Sequence, residues 1–84
     1  MNADLYRQYM QEYIQTAIDE SDGTNTGIYE QLDSMKVTSL VTRHKEEKER
    51  ALQDAKAAFD EHHHWPLQII LSQLGVNLHQ EGGE

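Results

Sequence analysis

Between Met35 and His64 the apolar positions recur at three- and four-residue intervals. Val37, Leu40, Val41, His44, Lys48, Ala51, Leu52, Ala55, Ala58, Phe59 and His62 all fall within about 120° on a helical wheel. That stripe predicts one long amphipathic helix. At 1.5 Å per residue, the span from Met35 to His64 would reach roughly 45 Å. The whole chain has only 84 residues. A compact globule of that size has a radius of gyration near 12 Å and a width of about 30–35 Å. The helix is therefore expected either to break or to have part of its apolar face covered by another chain. A homodimer is the first expectation, because two-fold pairing is the commonest symmetry.

Composition strengthens that expectation. Hydrophobic residues make up 37% of the chain, with one Trp, one Phe and four Tyr, below the usual share for a globular protein. A domain this small is marginal as a monomer. With no cysteine, neither a disulfide nor a metal thiolate can supplement the core, which leaves oligomerisation as the common remedy. Absence of cysteine also fits a reducing compartment. No basic-plus-apolar leader is visible, and the longest aliphatic run, Ile69-Ile70-Leu71, is far too short to span a bilayer. A cytoplasmic chain without a membrane partner is the expectation. It should form a single helical domain over residues 1–78, followed by a flexible polar tail over 79–84.

The remaining elements are read from caps and spacing. Asn2 is a suitable N-cap, Asp4 sits in the first turn, and Tyr6, Tyr9, Met10, Tyr13, Ile14 and Ala17 form one stripe, which predicts a helix from Ala3 to Glu20. Asp22 to Gly27 reads as a loop. From Gly27 to Thr42 the pattern is ambiguous between a short helix and a hairpin. Helix is preferred because a lone hairpin is weak and no further strands are at hand. Asp33 or Ser34 could cap the long helix, although the β-branched run around Val37 to Thr42 has poor helix propensity. Pro66 should end it and open a short helix marked by Leu67, Ile70, Leu71 and Leu74, stopped by Gly75. The expected fold is thus all-α, a bundle of three or four helices around one long central helix, completed by dimerisation.

Charge narrows the function. Up to Ser34 the acids Asp4, Glu12, Asp19, Glu20, Asp22, Glu30 and Asp33 face a single base, Arg7, within a chain of net charge −8. Direct binding to nucleic acid is disfavoured, because that affinity comes from Lys and Arg displacing counterions. A basic protein partner is compatible with the charge.

Few residues suggest chemistry. His62-His63-His64 could bind a metal, but consecutive histidines on a helix diverge. A helix end, where imidazoles complement last-turn carbonyls, is the preferred reading. Leu71-Ser72-Gln73-Leu74-Gly75-Val76-Asn77 resembles the turn of a helix-turn-helix. The segment that follows is acidic and glycine-rich where a recognition helix would need bases, so the run reads as a glycine-capped helix end. No cysteine nucleophile, glycine-rich phosphate cradle or nucleophile elbow is present. No enzyme, cofactor or metal is expected.

The interface candidates are Tyr6, Tyr9 and Tyr13 on the first helix, Val37, Val41, Leu52 and Phe59 on the central one, and Trp65, Ile70 and Leu74 near its end. Function is expected to be that of a small acidic protein-interaction module, an adaptor or regulator. The alternative is an inhibitor that mimics nucleic acid, its carboxylates imitating phosphates.

Overall fold

The structure is a computed structural model that describes residues 1–37 and 43–76. Among these, four helices form: α1 (Ala3–Glu20), α2 (Asn25–Ser34), α3 (Lys45–Glu61) and α4 (Leu67–Leu74). The all-α fold matches the reading of the sequence. The expected tail at 79–84 lies outside the described residues, as does the β-branched stretch 38–42.

Each helix begins and ends for a local reason. Asn2 caps α1, its side-chain oxygen accepting from the backbone N–H groups of Asp4 and Leu5. Those two donors have no carbonyl partner within the helix. Thr24 caps α2, its Oγ1 accepting from Gly27 N–H at 3.0 Å. Asn25, Thr26 and Gly27, the last three residues of the segment expected to be loop, belong to this helix. Pro66 stands immediately before α4, and its carbonyl accepts from Ile69 and Ile70. Gly75 closes α4 in the left-handed region at φ 73°, where a side chain would be strained.

The thirty-residue rod is not formed. Helix α2 stops at Ser34, and Met35 leaves it with an extended backbone at φ −79°, ψ 147°. The next helix starts only at Lys45, after His44 adopts φ 56°, ψ 40°. A left-handed residue reverses the path of the chain and cannot lie inside an α-helix. The helical phase of the stripe before Lys45 was therefore coincidental, since Met35 and His44 both lie outside any helix.

With the rod broken, the chain closes on itself. Its radius of gyration is 12.5 Å and its extents are 35 × 26 × 20 Å, so the geometric premise for a second chain is removed. Helices α1, α2 and α3 pack on one another in all three pairings, and α4 docks on α3. Contacts of Asn25 with His63 and Trp65 show that α2 runs back along α3 in the opposite direction.

The core is built from one stripe of each helix. Met10, Ile14 and Ala17 come from α1, Ile28 and Leu32 from α2, Ala51, Leu52, Ala55 and Phe59 from α3, and Ile70 and Leu71 from α4. Val76, just past the glycine, folds back and is also buried. Alanines on α3 let α1 and α2 approach its axis closely, and Phe59 fills the space between them.

Polar ties fix the helix ends around this core. The backbone N–H of Asn2 donates to Glu47 Oε2 at 2.8 Å, joining the start of α1 to α3. The Tyr6 hydroxyl donates to Asp54 Oδ2 at 2.6 Å. Asn25 Nδ2 donates to the carbonyls of His63 and Trp65, at 2.9 and 2.6 Å, and so pins the α3–α4 turn to the start of α2.

Candidate protein-binding surface

Three of the residues expected at an interface are interior instead. Leu52 is 5% exposed, and Phe59 and Ile70 are fully buried. Their side chains are part of the core that joins the four helices. Tyr6, Tyr9, Tyr13, Val37, Trp65 and Leu74 are half-buried and pack against the core from its rim. Val41 lies outside the described residues.

The tyrosine ridge of α1 is held by α3. Tyr6 is fixed by Asp54, and burial followed by that hydrogen bond pushes its phenol up to about 12. Tyr9 lies under the Lys48 ammonium, 5.2 Å from the ring centroid, and its ring is 6.2 Å from that of His44. The two polar residues that interrupt the central stripe are thereby accounted for. The lysine stem lies on apolar surface while its head sits over an aromatic face. Burial, then Glu12 and Tyr9, raise the Tyr13 phenol.

The histidine run is the turn between α3 and α4. The helix ends at Glu61, and the His62 ring stacks on Trp65 at 3.7 Å with the planes 11° apart. His63 and His64 meet edge to face and are exposed. Among the described residues no three His, Asp or Glu side chains are grouped to hold a metal ion. No described helix is long and apolar enough to cross a membrane.

The acidic first part of the chain lies on α1, α2 and the loop between them. Asp4, Glu12, Asp19, Glu20, Asp22, Glu30 and Asp33 are all exposed. None of the seven forms an ion pair among the described residues, whose ion pairs are Lys45–Glu49 and His62–Glu61. Several accept neutral donors instead. Gln8 reaches Glu12 at 3.5 Å and Gln15 reaches Asp19 at 3.0 Å, each one turn along α1. The hydroxyl of Thr24, then its backbone N–H, hold the Asp22 carboxyl below the usual range. Amide and hydroxyl partners orient a carboxylate without cancelling its charge, so the field of these helices stays negative.

A cleft separates α2 from α3 on the outer side. A hollow of about 240 Å³ is lined by Thr26, Tyr29, Phe59, Asp60 and His63. It adjoins a broader one of about 600 Å³ that shares Tyr29 and Asp60 and extends past Lys56, Leu52 and Glu49 to Met35, Lys36 and Val37. Asp33 first, then burial, then Asp60 push the Tyr29 phenol up, since both carboxylates bear on its hydroxyl. No local pattern of residues announces this cleft, because it depends on α2 turning back along α3.

Comparisons with protein-family models, with curated proteins and with solved structures return no match.

Proposed function

We propose that this chain is an acidic helical protein-binding module, an adaptor or regulator, that presents α1 and α2 to a basic surface of another protein. The observation that carries this reading is the set of seven exposed carboxylates on α1, α2 and the loop between them, with no ion-pair partner among the described residues and Arg7 the one base in that stretch. Such a surface speeds encounter with a cationic patch and favours it over other partners. The long helix was the main argument for a homodimer, and with it broken the proposal rests on the acidic surface and leaves self-association to the light-scattering measurement described below.

The test is affinity capture of the partner by the immobilised chain at low and high salt. Binding should fall steeply between about 50 and 500 mM salt, as the Debye length shrinks. It should also be lost in a variant carrying Glu12→Gln, Asp19→Asn and Asp33→Asn. Salt-independent binding that survives these changes would end the proposal.

The nucleic-acid-mimicking reading draws on the same carboxylates, spread from Asp4 to Glu20 along a helix about 27 Å long. It requires that the captured protein be displaced by an oligonucleotide duplex. A partner unmoved by duplex DNA or RNA leaves the adaptor reading standing alone.

A further inference from the structure

We propose that the cleft between α2 and α3 receives an arginine side chain of that protein partner, its guanidinium lodged between the Tyr29 ring and the Asp60 carboxylate. The inference deepens the reading above and rests on it for the basic character of the partner. The hollow beside Tyr29 has about 240 Å³, enough for one long side chain. Its walls combine an aromatic ring, a carboxylate and the buried Phe59, which suits an apolar stem with a cationic tip.

Charge complementarity selects the occupant. Asp33 and Asp60 both act on the Tyr29 hydroxyl, and neither is ion-paired among the described residues. Lys56, one turn before Asp60 on α3, makes no ion pair with it. Asp60 thus lines the hollow beside the Tyr29 ring with no ion-pair partner among the described residues. Arginine fits better than lysine, because a planar guanidinium stacks on the ring while donating two parallel hydrogen bonds to a carboxylate.

The broader hollow sets the direction of the segment that carries this arginine. From Asp60 the cleft continues over Leu52 toward Met35 and Val37, with Lys36 and Lys56 on its rim. Those ammonium groups repel a second cation there. The partner segment should place apolar or acidic residues over that end and its arginine at the Tyr29 end.

The experiment is a two-dimensional amide NMR titration of the intact chain with N-acetyl-arginine amide, and in parallel with N-acetyl-lysine amide. Saturable shifts confined to Thr26, Tyr29, Phe59, Asp60 and His63 are expected, with arginine the tighter of the two. Asp60→Asn, an exposed position that the fold does not need, should weaken arginine by roughly fivefold or more, the scale of losing a charge-assisted bidentate pair. Absent shifts, shifts spread over the α1 carboxylates, or an Asp60→Asn variant that binds as before would each overturn the proposal. Glu12→Gln with Asp19→Asn, both on α1 and leaving Asp33 intact, should not change this titration, so failure of the cleft and failure of the acidic surface are separately visible.

Discussion

The Tyr6 hydroxyl, 2.6 Å from Asp54, is a single bond with a readable cost. Tyr6→Phe should lower stability by about 1 kcal/mol in urea denaturation, the usual net value of a partly exposed hydrogen bond. The same residue shapes the alkaline limb. Its phenol is held up to about 12, above the unfolded value near 10. The folded state therefore keeps the proton that the unfolded state gives up. The stabilisation is complete below about pH 10 and disappears as pH climbs toward 12, and Tyr6→Phe should flatten that decline. His44 is strained in the opposite sense, a non-glycine residue at φ 56°. His44→Gly should raise stability by about 0.5 kcal/mol, because glycine occupies the left-handed region freely and only the ring contact with Tyr9 is given up. The sequence showed His44 as a polar flaw in a stripe. Its role as the residue that turns the chain into α3 was hidden, since nothing about histidine announces a left-handed conformation.

Helices α1 and α4 were legible because their signals were local. Asn2, Asp4 and the stripe through Ala17 set α1 to the residue, and Pro66 with Gly75 bracketed α4. The start of α3 was missed because wheel periodicity was weighed above the β-branched run. The ties between elements were also invisible, since they join residues about 40 to 50 positions apart. Asn25 is the clearest case, a loop residue by its type that becomes the clasp between α2 and the α3–α4 turn. Asn25→Ala should cost about 1 kcal/mol by removing one exposed and one part-buried hydrogen bond. Amide exchange in α4 should quicken while that of α1 stays slow, and a uniform change across all helices would show that the clasp is not local. Phe59→Ala, which empties the space between three helices, should cost about 3–5 kcal/mol and leave little folded protein at 37 °C.

At the scale of the whole molecule the closed bundle leaves little apolar surface over. Met1 and Ile69 are the only large hydrophobic residues strongly exposed among those described, and scattered single residues do not make an interface. Light scattering at tens of micromolar should therefore report a particle of 9.7 kDa. A particle of twice that mass would restore self-association on grounds other than a long helix. The unneutralised carboxylates also repel one another within one small body, so melting temperature should rise as salt is raised from about 10 to 300 mM. The joint between α3 and α4 offers a natural optical gauge of all this. The chain's sole indole lies face to face with the His62 imidazole. Its emission should follow the docking of α4 on the end of α3 without any dye, and if the bundle comes apart as one unit that signal and backbone ellipticity should trace the same unfolding curve.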